Sequence, residues 1–419
     1  MGVPPTESTE IKVILHTGGS AGDVLPFFGL ARGLRDRGHQ VVVVTNSQFQ
    51  EIAQRIDMPF VPVGDSVSHA QALTDPDLWR PRRGLQIVMD QLFPDPLQSY
   101  RVLAGLADEN TVVIGHPFAF AVRLLQERDG LRCATAVLSP CLLRSDHRVP
   151  VMFGQRELSK MAGPLKSLMW YLADRWLIDP TVLPRLNQAR HALGMEPISR
   201  PFHGWILSPT LTIGLFPEWF APPQPDWPEQ VRQTGFPRFH TSRPLSPELR
   251  KFMDHGEPPI VFNPGSGFAD HERYFSVASR ACKQLDRRAI FLSSYSAKTP
   301  QNDRILHLPF APLDVILPRC AAVVHHGGIG TTGDASYAGL PQIVRPCGFD
   351  QYDHAVRIEE LGMGVYLSRK DFRTSNLVCA LENLLKDNHI ARCCQRRARQ
   401  LSQQEPVAES CALIEELAH

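Results

Sequence analysis

Two doubly wound α/β domains facing each other across a cleft are predicted for this 419-residue chain by three features. Short β-branched runs alternate with helical stretches in both halves, glycine-rich turns follow strands in each half, and prolines crowd between residues 201 and 247. Strand-helix alternation is the signature of parallel sheets covered by helices, and such sheets place ligands beyond the carboxyl ends of their strands.

In the N-terminal half the runs at 11–15, 41–45, 112–114, 135–138 and 211–215 lack polar alternation, as strands buried on both faces do. Between the first two, Phe27, Leu30, Ala31 and Leu34 recur at helical spacing over 26–37, with Gly38 where a helix would stop. The proline-rich stretch then excludes a continuous helix or a central strand. Beyond it, strands are expected at 260–263, 289–293, 321–325, 342–345 and 365–367, and a helical tail from about 390 to 417. The expected division is an N-terminal domain over 1–216, a linker over 217–247, a C-terminal domain over 248–390, and helices over 391–419 that pack back toward the N-terminal domain.

The composition narrows the function. With 44 basic and 43 acidic residues the formal net charge is +1, which argues against a protein that neutralises a nucleic-acid backbone. Nine scattered cysteines without a C-x-x-C pair signal neither a disulfide framework nor a zinc site. The polar start MGVPPTESTE lacks the features of a secretory leader, and no apolar run has the ~18 residues of a membrane span. A cytoplasmic protein is expected, with peripheral contact at the inner membrane face left open.

Four clusters carry candidate chemistry. The loop GGSAGDVLP, 18–26, joins the first strand to its helix without the lysine and hydroxyl of a P-loop. Within it Asp23 reads either as an N-cap or as a general base, and both roles hold only if one carboxylate oxygen caps while the other faces a substrate. The stretch VVHHGGIGTTGDASYAGLP, 323–341, is stronger. A strand ends at His325 and His326, glycines that include Gly328 follow, and a helix begins near Gly330 with Thr331 and Thr332 in its first turn. Free N–H groups, hydroxyls and a helix dipole meet there, which suits a diphosphate, and either histidine could donate to a phosphate oxygen. The third, CGFDQYDHA, sets Asp350 beside Gln351, acceptors and donors for neighbouring hydroxyls of a polyol. The fourth, FNPGSGF, is a strand running into a glycine-serine turn.

Taken together, GDVLP, LARGLRDRGH, the G-S turn, HHGGIGTT, AGLPQIVRP and FDQ resemble the family 1 glycosyltransferases, which have the GT-B fold. The linker FPEWFAPPQPDWPEQ, the following GFPRF, DPDLWRP and GGIG are most similar to the bacterial rhamnosyltransferases of rhamnolipid synthesis. The resemblance implies that the C-terminal domain grips a nucleotide diphosphate sugar, deoxythymidine- or uridine-linked, with no cofactor and no metal. It places the diphosphate histidine at His326, followed by Gly328, Gly330, Thr331 and Thr332, and a ribose acid at Asp334. The sugar pair falls on Asp350 and Gln351, Ser266 lies near the diphosphate, and Phe310 stacks on the base. Leu313 stands where plant members have a glutamine, so base selection must differ.

The family's catalytic position falls on Asp23, implying transfer with inversion. The best reading is movement of a hexose or deoxyhexose, rhamnose first, to a hydroxyl of a hydroxylated fatty acid or lipid. A glucosyltransferase using UDP-glucose on a sterol, polyketide or phenolic aglycone is the alternative, and a nucleotide-sugar epimerase of the same fold is a third reading that gives the GDVLP loop no task. Phe349 or Phe268 would meet the methyl group of rhamnose. His116 reads first as a surface histidine, ahead of one that approaches the same cleft. The apolar face Leu165, Leu168, Met169, Leu172 and Trp176 reads first as core packing, ahead of a tunnel wall or an interfacial helix. No residue is assigned to the acceptor.

Overall fold

A computed structural model describes residues 10–152, 154–240, 244–265, 271–293 and 302–419. The N-terminal sheet has seven parallel strands in the order β3-β2-β1-β4-β5-β6-β7. They are β1 Lys12–His16, β2 Gln40–Thr45, β3 Phe60–Pro62, β4 Thr111–Gly115, β5 Arg132–Val137, β6 Thr212–Gly214 and β7 Val231–Gln233. The C-terminal sheet has six parallel strands in the order β10-β9-β8-β11-β12-β13. These are β8 Ile260–Asn263, β9 Ala289–Leu292, β10 Ile305–Leu308, β11 Ala322–His325, β12 Gln342–Val344 and β13 Gly364–Tyr366. The doubly wound, two-domain expectation is met.

Each sheet is a wall with apolar side chains on both faces. In the second, Ile260 and Phe262 belong to one buried cluster and Val261 to the other, the two-residue alternation of a strand covered on both sides. The proline-rich stretch 217–247 contributes β7 as an edge strand, the one place where neighbouring prolines cost a sheet no ladder bonds. The closing helix, Pro406–Ala418, returns to the N-terminal domain. Glu415 accepts from Arg37 at 2.6 Å and lies 2.7 Å from His39, and Ser410 Oγ meets Thr234 Oγ at 2.9 Å.

Two expectations fail on burial. The face of the Gly163–Ala173 helix and the following Asp174–Ile178 turn does not pack into a core: Leu165, Leu168, Leu172 and Trp176 are exposed, Trp176 at 71%. The turned-in groups are instead Lys166, which donates to the Asp146 carbonyl at 2.8 Å, and Asp174, which pairs with Arg144 and Arg200. Periodicity identifies an apolar face but not whether anything covers it. His116 is not at the surface. It is buried against Phe93 and Phe118, and burial, with the neighbouring His16, holds its pKa down to about 3. Among the described residues no helix is long and apolar enough to cross a membrane.

Candidate active site

The first helix spans Ala21–Asp36, five residues earlier than the expected start, with Ser20 as its N-cap and Pro26 inside it. Asp23 is therefore not the cap; it sits in the first turn and closes the cap from within. Its Oδ2 accepts from the Ser20 N–H at 2.8 Å and the Ser20 hydroxyl at 2.9 Å. Its Oδ1 accepts no hydrogen bond from any described residue. One oxygen thus holds the turn while the other is unused, the division that a combined structural and chemical role requires.

The loop before Asp23 is pinned from two sides. The Gly19 N–H donates to the Leu92 carbonyl at 2.9 Å, and His69 Nε2 lies 2.7 Å from the Gly19 carbonyl. Gly19 has φ +97°, and a Cβ there would fall 2.5 Å from Asp23 Oδ2, so the turn requires glycine on both grounds. Burial raises the Asp23 carboxyl to about 6. The two Ser20 bonds work against that shift, and the negative charge of Asp350 adds to it.

Across the cleft β11 ends at His325 and leads through Gly327 and Gly328 into the Ile329–Tyr337 helix, with Gly328 as N-cap. A Cβ on Gly330 would lie 4.0 Å from the Cα of Gly22, so the N-termini of this helix and of Ala21–Asp36 meet end to end. Helix N-termini leave their first N–H groups without partners inside the helix and carry partial positive charge, and both are aimed here at the same space.

The two histidines separate. His325 is fully buried and spends both ring nitrogens, Nε2 at 3.0 Å from Gln342 Oε1 and Nδ1 accepting from the Gly327 N–H at 3.1 Å. Its role is to hold the turn, and burial keeps its pKa near 3. His326 is only half-buried. Its Nδ1 lies 3.4 Å from the Asn263 carbonyl, too long to fix the tautomer, and burial lowers its pKa against that contact. A Cβ on Gly328 would come within 2.4 Å of His326 Nε2, so only glycine leaves this ring its place.

The other expected donor residues divide. Thr331 Oγ1 accepts from Asn263 Nδ2 at 3.3 Å, but Thr332 is fully buried and its hydroxyl has no partner among the described residues, so it does not open onto the cleft as expected. Gln351 is buried and its Oε1 accepts from the N–H groups of Cys347, at 2.8 Å, and Gly348, at 3.3 Å. Its oxygen is thus committed to the loop and its NH₂ alone is left to donate. Asp350, 29% exposed, stands at the N-cap position of the Gln351–Glu360 helix without a side-chain capping bond. Asp334 lies on the Ile329–Tyr337 helix, where burial raises its carboxyl to about 7 against the pull of Arg238, with Asp314 adding to the rise. Phe310 is exposed at 45%.

Phe349 adopts φ +50°, an uncommon conformation for an aromatic residue, and its ring centroid lies 6.0 Å from that of Trp79 in the opposite domain. Ser266 and Phe268 lie outside the described residues. Among the described residues no group of three or more His, Cys, Asp or Glu side chains could hold a metal ion.

Two residues that the sequence does not single out complete the site. Ser20 could have been found from the S-x-x-D spacing with Asp23. Ser139 reaches His354 across the domain boundary, and no local pattern announces that pairing.

This geometry, a carboxylate facing a diphosphate-type helix terminus between two Rossmann-like domains, is that of a sugar-transferring enzyme of the GT-B class, and comparison with known proteins agrees. Residues 13–144 match the glycosyltransferase family 28 N-terminal domain, and residues 289–417 match the C-terminal domain of the erythromycin biosynthesis protein CIII-like family. The chain is 30% identical to O-mycaminosyltylonolide 6-deoxyallosyltransferase of Streptomyces fradiae, over 97% of this chain and 98% of that one. It is 29% identical to vancomycin aglycone glucosyltransferase of Amycolatopsis orientalis, over 85% of each.

Among solved structures, the kitacinnamycin glycosyltransferase superposes with a TM-score of 0.74 at 16% identity, over 98% of this chain and 100% of that one. The spinosyn rhamnosyltransferase SpnG complexed with thymidine diphosphate superposes with a TM-score of 0.66 at 17% identity, over 96% and 100%. The chain belongs to the GT-B glycosyltransferases of the erythromycin CIII-like type, with a family 28-type N-terminal domain.

Proposed function

We propose that the protein transfers a deoxyhexose, rhamnose first among them, with inversion from a deoxythymidine diphosphate donor to a hydroxyl of a hydrophobic acceptor. One observation carries this reading: Asp23 presents an uncommitted oxygen, with a carboxyl raised to about 6, where the N-termini of two helices meet. A carboxylate of that pKa is mostly ionised at neutral pH yet basic enough to take a proton.

The acceptor O–H gives its proton to Asp23 Oδ1 as its oxygen forms the bond to the anomeric carbon. The bond from that carbon to the diphosphate oxygen breaks on the opposite face, and the electron pair leaves with the diphosphate. The growing negative charge is met by the N–H groups opening the Ile329–Tyr337 helix and by His326, which calls for no metal. Asp350 and the NH₂ of Gln351 hold sugar hydroxyls, Asp334 the ribose, and Phe310 the base. Thr331 is assigned to the diphosphate, as is Ser266 on the resemblance alone.

The donor assignment is supported by relatives named for a deoxyallosyl and a rhamnosyl transfer, the latter with thymidine diphosphate bound. The glucosyl transfer named for the Amycolatopsis relative supports a second reading, UDP-glucose on a polyketide, sterol or phenolic aglycone. The exposed apolar face of 165–176 favours an acceptor met at a membrane surface, on the cytoplasmic side.

Equal concentrations of the rhamnosyl donor and UDP-glucose, offered with a panel of hydroxy fatty acids, sterols and polyketide aglycones, test this by product mass. Deoxyhexosides of a lipid-type acceptor are expected to dominate. A pool dominated by hexosides rejects the donor assignment and leaves sugar transfer standing.

A further inference from the structure

His354 is fully buried and stands one turn beyond Asp350 on the Gln351–Glu360 helix. Its Nδ1 lies 2.7 Å from the carbonyl of Gly327, in the turn that opens the Ile329–Tyr337 helix. A carbonyl only accepts, so Nδ1 carries a hydrogen and Nε2 is the ring nitrogen left for other partners. That nitrogen lies 2.9 Å from Ser139 Oγ, just beyond β5 in the N-terminal domain, and 3.7 Å from Asp350 Oδ2. Ser139 Oγ and Nε2 thus share a hydrogen bond across the domain boundary, with Cys141 Sγ also 3.3 Å from the hydroxyl. Without Ser139 the buried Nε2 would keep only Asp350 Oδ2, at 3.7 Å, and lose its one partner at hydrogen-bond distance.

We propose that His354 is a positioning residue, and that with Ser139 it forms a latch between the two domains that sets Asp350 for the donor sugar. The latch rests on the reading of Asp350 as a sugar-binding group. Other contacts bring the domains together at the same place. The Val151 N–H donates to Asp353 Oδ1 at 3.0 Å, and Arg357 bonds both Asp353 Oδ2 at 2.5 Å and the Phe220 carbonyl at 3.1 Å. These secure the helix. Of these contacts, the Ser139 bond is the one that touches a group adjoining both Asp350 and the Gly327 turn. The domain arrangement that brings Asp23 up to the sugar is thus also the one that completes the grip on it.

Ser139→Ala deletes one hydroxyl, and His354→Asn keeps a donor in the place of Nδ1 while removing Nε2. Each is expected to lower kcat/KM for the sugar donor about 5- to 20-fold, the effect of one well-placed buried hydrogen bond. The affinity for free deoxythymidine diphosphate, read by calorimetry, is expected to stay within about twofold, since the latch acts on the sugar group. The double variant is expected to lose little more than the worse single one.

A Ser139→Ala enzyme with unchanged kcat/KM overturns the proposal, as do equal losses for donor and diphosphate, or losses that multiply in the double variant. Asp350→Ala in the same assay separates the two levels of the reading. If it leaves transfer intact, the sugar-binding role falls and the latch with it; if it abolishes transfer while Ser139→Ala is silent, the latch alone falls.

Discussion

Replacing Asp23 with asparagine is expected to lower kcat by about 10²- to 10⁴-fold while leaving donor affinity within about twofold. The amide oxygen can still accept from the Ser20 N–H, so the first turn keeps its closure, but nothing at that position can take the acceptor's proton. In the parent enzyme, kcat/KM is expected to fall as pH drops through about 6, because the protonated carboxyl is no longer a base. That limb is expected to vanish in the variant.

Stability is expected to move the other way. The folded-state pKa of Asp23 is raised above its ordinary value, so its favourable contribution is fully present below the unfolded pKa and is lost as pH rises through about 6. At neutral pH the asparagine variant should therefore melt at or above the parent temperature. Turnover within a few fold of the parent, measured on a folded variant, would reduce Asp23 to its hold on Ser20 in the first turn.

His326→Ala carries the next largest expected effect. A hydrogen bond to a charged partner contributes about 1.5–3 kcal/mol, so the affinity for the nucleoside diphosphate should fall about 10- to 100-fold, while that for the bare nucleoside changes little. Calorimetry with the two ligands decides it. Equal losses for both would mean that the ring shapes the Gly327–Gly328 turn, the part already played by its buried neighbour His325.

The contrast between those neighbours shows what sequence conveys here. His325 ends β11 and His326 follows it, so HH places two rings on opposite sides of one strand end, but in a sheet covered on both faces it does not say which ring reaches the cleft. The strand, glycine turn and helix that follow one another at 322–337 were legible because they are contiguous. Strands buried on both faces were legible as unbroken apolar runs. Three were not: β3 has three residues ending in Pro62, β7 lies among prolines, and β10 is interrupted by His307.

The start of the first helix was displaced by Pro26, which reads as an opening residue but occupies the sixth helical position. The pairing of Ser139 with His354 spans 215 residues and depends on two domains docking, which no periodicity encodes. The exposed face around Trp176 shows the same limit from the other side, since its pattern is that of a core helix and only the fold reveals that nothing among the described residues covers it.

The anomeric configuration of the product, read by proton NMR against that of the donor, tests most directly whether Asp23 works as a base in a single displacement. A glycoside of opposite configuration is predicted from the native enzyme, and none above background from Asp23→Asn. A product that retains the donor's configuration would contradict the account.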